Sequence, residues 1–294
     1  MPELPPLHYA VVDNDQDKVN KLIKESSRDE INTALHLAIM NNNLDLYDVL
    51  IENNANINSK DVDGNTPLHL AILYNYQDIY NVLIKNNANI NSKDVDGNTP
   101  LHLALIHITD DYIPYNLIIN GADKEARDKN DKTPLHIAVE NKKSLMVGAL
   151  ISNNAIKDAQ DKQGRTPLHI AAELDNIDIA ERLIINGANK DAKDKQGRTP
   201  LHIAVAYNNK NMAEFLIKKG ANKETADSYC KTPLRLAFEK KLDNITDILT
   251  KTGCSAAGGK RTTKRRSKKS KKNKKKSTKK RQSTRKTRKR RQKR

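Results

Sequence analysis

Thr66-Pro67-Leu68-His69 recurs as Thr99-Pro100-Leu101-His102, Thr133-Pro134-Leu135-His136, Thr166-Pro167-Leu168-His169 and Thr199-Pro200-Leu201-His202, with weaker copies at Thr33-Ala34-Leu35-His36 and Thr232-Pro233-Leu234-Arg235. Successive copies stand 33 residues apart, except for one step of 34. A fixed period of this length specifies a solenoid: one unit cannot bury its own apolar face, and stacked units share a continuous core. Pro6-Leu7-His8-Tyr9-Ala10 is an incomplete first copy.

Each full unit predicts two helices. The threonine suits an N-cap, its hydroxyl taking an unpaired amide, and proline at the first helical position loses no needed donor. In residues 60 to 92, Leu68 and Ala71 share a face, Asn75 breaks the pattern, and Ile79, Val82, Leu83 and Ile84 follow at helical spacing. Asn54, Asn87, Gly121, Asn154, Gly187, Gly220 and Gly253 then occupy equivalent positions, with the two residue types best suited to a left-handed helix end. Segments such as Asp61-Val62-Asp63-Gly64-Asn65 carry turn chemistry. Asp131 and Cys230 replace the turn glycine, so distorted turns are expected there. Residues 93 to 126 hold the extra residue, around Thr109-Asp110-Asp111, with Pro114 near the start of the second helix; a shifted loop in an unbroken stack is expected. Arg235 and Thr250 make the closing unit more polar, as a solvent-facing end requires.

Period, tetrapeptide and apolar pattern together resemble the ankyrin-repeat family over nearly all of residues 1 to 254. The resemblance implies an all-α ankyrin-repeat solenoid of about eight helix-turn-helix units with hairpin-like fingers. Residues 1–26 form an N-terminal capping repeat, 27–225 six full repeats and 226–254 a C-terminal capping repeat. Beyond them, 255–294 is a basic tail without core-forming residues, expected to be disordered.

Charge divides the chain at the same place. Of 53 Lys and Arg residues, 23 lie between Lys260 and Arg294, where no acid occurs, leaving 30 basic against 36 acidic residues in 1–259, a formal −6. Cys230 and Cys254 make no disulfide framework, the start Met1-Pro2-Glu3-Leu4 lacks signal-peptide regions, and no stretch resembles a membrane span. An intracellular setting follows, nuclear or cytoplasmic, with the basic tail favouring the nucleus.

No catalytic constellation, cofactor motif or metal-ligand spacing is recognisable. The histidines sit one per unit, about 10 Å apart, too far to share a metal with bonds of about 2 Å, and are assigned to threonine and turn backbone within the stack. Asp61, Asp94, Asp128, Asp161, Asp194 and Asp227 are likewise assigned to local turn amides.

The informative variation lies at the end of each first helix: Met40 with Ile39, Leu73 with Tyr74, Ile106 with His107, then Glu140 with Asn141, Glu173 with Leu174 and Ala206 with Tyr207. Tyr76 and Tyr112 add aromatic tips. Met40, Leu73, Tyr74, Tyr76, Ile106, His107, Tyr112 and Tyr207 are therefore the candidate protein-binding residues on the concave face the resemblance implies. Burial of Leu73 and Ile106 between units is the competing assignment. Turn tips also grade from Asp63 and Asp96, through Lys129 and Lys132, to Lys162 with Arg165 and Lys195 with Arg198.

The tail carries the candidate polyanion-binding or targeting residues Lys264, Arg265, Arg266, Lys268, Lys269, Lys271, Lys272, Lys274, Lys275, Lys276, Arg288, Lys289, Arg290 and Arg291. Such density binds DNA, RNA or another polyanion by counterion release, and without an aromatic ring it lacks base stacking. The sequence thus supports a non-enzymatic, monomeric scaffold for an unidentified protein partner. Its alternative is a nucleic-acid-binding or condensing protein in which the tail acts. Richness in Asn, Ile and Lys is similar to ankyrin proteins of large DNA viruses and some protists. No F-box-like segment follows the repeats, which argues against a ubiquitin-adapter role.

Overall fold

The computed structural model describes residues 5–251, which hold sixteen α-helices and no strand. They run in pairs: α1 (Pro6–Val12) and α2 (Gln16–Leu22); α3 (Arg28–Met40) and α4 (Leu44–Glu52); α5 (Pro67–Leu73) and α6 (Gln77–Lys85); α7 (Pro100–His107) and α8 (Tyr112–Ile119). The series continues with α9 (Pro134–Glu140) and α10 (Ser144–Ser152); α11 (Pro167–Glu173) and α12 (Ile177–Ile185); α13 (Pro200–Ala206) and α14 (Lys210–Lys218); α15 (Pro233–Glu239) and α16 (Asp243–Lys251). First helices pack in sequence from α1 to α15, each against its neighbours, and α8 to α16 do the same among second helices.

The core follows the repeat. Leu35, Leu68, Leu101, Leu135, Leu168 and Leu201 are completely buried, each contributing about 1.5–3 kcal/mol. Tyr47 and Tyr80 are fully buried in α4 and α6, where the equivalent later residues are Val147, Ala180 and Ala213. Their hydroxyls remain satisfied: Tyr80 donates to Asn116 Oδ1 at 2.7 Å, and Tyr47 accepts from Asn86 Nδ2 at 3.3 Å. Burial pushes both phenols above their ordinary pKa.

Helix ends take the predicted conformations. Asn54, Asn87, Gly121, Asn154, Gly187 and Gly220 all have φ between 58° and 91°; Gly253 lies outside the described residues. The longer unit stays in the stack, with α7 running one residue further and Ile108 buried in extended conformation.

Three expectations are corrected. The turns at Asp131 and Cys230 are not distorted. Both residues adopt the left-handed backbone of the glycines they replace (φ 59° and 56°) and donate their amides to Asp128 and Asp227 as Gly64 does to Asp61. Thr33 is not an N-cap, because α3 begins at Arg28 under a reciprocal Ser27–Glu30 cap; the Thr33 hydroxyl bonds the Asp29 carbonyl inside the helix. Ile39 does not belong with Met40 on the surface: it is completely buried, one position short of the exposed register.

Candidate functional site

The TPLH histidines fix the frame on which surface positions are displayed. Thr66 N–H donates to His69 Nδ1 at 3.1 Å, which leaves Nε2 carrying the proton and donating to the Asn98 carbonyl of the next unit at 3.3 Å. The same bridge runs from His102 to Lys132, His136 to Arg165, His169 to Arg198 and His202 to Lys231, at 2.9–3.1 Å. His36 reaches Ser59 in like manner. Burial holds all six imidazoles below the ordinary histidine pKa, with the carbonyl bond opposing it. Both ring nitrogens of each TPLH histidine are thereby engaged, Nδ1 within its own unit and Nε2 across to the next.

The turn aspartates are equally occupied. Asp61 Oδ1 accepts the amides of Asp63 (3.0 Å) and Asn65 (2.7 Å), and Asp94, Asp128, Asp161, Asp194 and Asp227 repeat the pattern. These bonds shape the finger that follows each second helix.

At the end of each first helix, the surface splits into two chemistries. Leu73 and Ile106 are 36% and 39% exposed, whereas Ile72 and Leu105 beside them are completely buried. Leu73 and Ile106 thus keep part of their surface in water and are not fully drawn into inter-unit packing. Met40 is exposed at the equivalent position, and Tyr74 and His107 are exposed one residue on. Tyr76 stacks on Tyr74, with ring centroids 5.7 Å apart, and donates its hydroxyl to the Met40 carbonyl at 3.3 Å. Met40, Leu73, Tyr74, Tyr76, Ile106 and His107 therefore belong to one row across α3, α5 and α7.

Two candidates fall elsewhere. Tyr112 is exposed but starts α8 and bonds Asn81 of α6 at 3.2 Å, within the second-helix layer. Tyr207, also exposed, is separated from the row by two units, and a bond to Glu173 raises its pKa.

In three of the later units the same position is a glutamate closed by an ion pair, while residues 193–225 carry Ala206 there. Lys132 meets Glu140 at 2.6 Å, Arg165 meets Glu173 at 3.2 Å and Asp161 at 2.9 Å, Arg198 meets Asp194 at 2.7 Å, and Lys231 pairs with Glu239. The side-chain amides of their early counterparts, Asn65 and Asn98, bond only the turn aspartates and make no ion pair over Leu73 and Ile106. Much of the basic charge expected at the later fingers is thus neutralised in place; Lys162 and Lys195 remain exposed.

Sequence reasoning missed Leu145. It is exposed and, with Ile106 and His107, lines a concavity of about 490 Å³ beside the longer loop. The signal was legible, since Leu145 stands where Asp45, Asp78 and Asp178 occur in other units. The tail residues from Lys264 to Arg291, like all of 252–294, lie outside the described residues. No described helix is long and apolar enough to cross a membrane.

A model of a family described as ankyrin repeats, in three copies, matches residues 7–94, 109–194 and 175–257. Comparison with curated proteins found no match.

Proposed function

Because those matches span most of its length, the chain belongs to the ankyrin-repeat family, whose stacks generally scaffold protein–protein interaction, and we propose that this one holds a protein partner on its concave face through residues 27–126. The observation carrying this reading is the row Met40, Leu73, Tyr74, Ile106 and His107, exposed and flanked by the half-buried Tyr76, where three later units place glutamates closed by ion pairs. An apolar row with aromatic rings gains by leaving water, whereas a satisfied ion pair gains little from a new partner. Leu145 extends the surface toward the middle of the stack.

The test is affinity capture with the full chain, followed by mass spectrometry, beside a variant carrying Leu73→Ser, Tyr74→Ser, Ile106→Ser and Tyr112→Ser. The proposal expects partners of the parent to be lost at an unchanged fold, judged by circular dichroism. Capture that survives all four changes removes the site. Tyr112→Ser alone, in the second-helix layer, is expected to cost less than Leu73→Ser.

A second reading rests on a separate observation, the 23 cations without an acid between Lys260 and Arg294. We infer that this segment anchors the scaffold to nucleic acid or directs it to the nucleus. Binding of the whole chain to duplex DNA is expected to fall steeply between 50 and 200 mM salt, roughly 10³-fold or more if at least six phosphates are contacted. A chain ending at Gly259 is expected not to bind. If truncation leaves DNA binding intact, this reading fails without touching the first.

A further inference from the structure

The fingers form an inter-unit hydrogen-bond ladder whose first rungs are empty. The amides of Val95, Lys129, Lys162, Lys195 and Ser228 each donate to a carbonyl of the preceding finger at 2.6–3.0 Å. Val62 holds this position in the first finger, but the residue that would face it, Glu30, lies inside α3. Among the described residues the Val62 N–H has no acceptor.

A second rung is open beside it. Lys60 Nζ donates to the Lys93 carbonyl (2.6 Å), Lys93 Nζ to Arg127 (2.9 Å), Arg127 Nη1 to Gln160 (2.7 Å) and Gln160 Nε2 to Lys193 (3.0 Å). The Lys60 carbonyl is the equivalent acceptor and takes no donor among the described residues. A third rung is closed, since Asn32 of α3 accepts the Asn56 amide at 2.8 Å as Asn58 accepts that of Asn89. The stack is thus capped on its helical side and left unpaired on its finger side.

The two open groups border a concavity of about 620 Å³ with His36, Leu37, Met40 and Val62 in its walls. Asp29 and Asp61 bring negative charge, and Asp63 stands exposed at the finger tip. The only lysine of the lining, Lys60, is turned to the Lys93 carbonyl.

We propose that this end of the ladder docks a peptide bearing Lys or Arg, turned as the fingers are, which completes it as a surrogate finger. The cationic side chain at peptide position i donates to the Lys60 carbonyl, and the main-chain carbonyl at i+3 accepts the Val62 N–H. That spacing is the one by which Lys60 and Asp63 serve Lys93 and Val95. Asp29 and Asp61 favour a cation over the glutamine that fills the role at residue 160.

The full chain, labelled with ¹⁵N, is titrated with a peptide having the sequence of residues 126–133, which supplies Arg127 and the Asn130 carbonyl in that spacing. The Val62 amide resonance is expected to shift saturably, and the Arg127→Ala peptide to bind about tenfold more weakly. Val62→Pro removes the donor where proline is tolerated: the residue is second in a β-turn closed by Gly64 N–H to Asp61 O at 3.0 Å, and its side chain is 96% exposed. It is expected to keep the parent melting temperature and lose about tenfold in affinity. Asp29→Lys, on the exposed face of α3, is expected to weaken binding as well. A Val62 resonance that stays fixed at millimolar peptide, or equal affinity for parent and Val62→Pro, overturns the proposal.

Discussion

The TPLH histidine gives the stack a pH sensitivity that leucine packing alone would not. His36, His69, His102, His136, His169 and His202 are all held below the ordinary pKa by burial. The unfolded chain therefore takes up protons near pH 6.5 while the folded chain does not. Stability is complete above that pH and falls as pH drops toward the depressed folded values, by at most about 1.4 kcal/mol per pH unit for each histidine. Denaturant midpoints measured from pH 7.5 to 5 are expected to fall progressively; a flat profile would mean the imidazoles protonate without cost in the fold. The bonds can be probed one at a time. His136→Ala strands the Thr133 amide in the interior and removes a link to the Arg165 carbonyl, at a cost of about 1–3 kcal/mol. Arg235→Ala, at the exposed equivalent in the closing unit, is expected to change stability by less than about 0.5 kcal/mol.

At the scale of the finger, glycine is required by a neighbour as much as by its own backbone. A Cβ on Gly164 would lie 2.7 Å from the Lys195 amide nitrogen, at a φ of +77°. Gly164→Ala is therefore expected to cost about 1–3 kcal/mol, read as a lower urea midpoint, and Asp131→Gly to leave the midpoint unchanged or raise it. Substituting Asp and Cys for turn glycine looked disruptive because sequence records the residue and not the clearance around it. The helix ends were legible for the opposite reason: Asn and Gly act through their own backbone, so position alone predicted φ at Asn54 and Gly187. The first-helix surface was legible in part. Leu73 and Ile106 stood out against Glu140 and Glu173, but which residue of Ile39 and Met40 faces water depended on a register that α3, starting early at Arg28, does not announce. Tyr47 and Tyr80 escaped notice as core because their hydroxyls find partners in the next unit, a contact separated by more than thirty residues.

Across the whole stack, coupling runs only between neighbours, so function and stability should be separable by region. Met40, Leu73 and Ile106 lie two or more units from α13, and the principal contacts among first helices run between neighbouring units. Removing residues 160–192 tests this, because the new neighbours already carry matching groups. Arg127 would meet the Lys193 carbonyl in place of Gln160, His136 the Arg198 carbonyl in place of Arg165, and the Asn130 carbonyl the Lys195 amide in place of Lys162. The shortened chain is expected to unfold in one cooperative transition, with a denaturant m-value lower by roughly an eighth, in proportion to the surface no longer buried. Partner capture through residues 27–126 is expected to persist, since none of its side chains is displaced. Should the deletion instead yield a split transition or lose capture, the stack would be coupled over more than adjacent units, and the binding row could not be assigned to the early units alone.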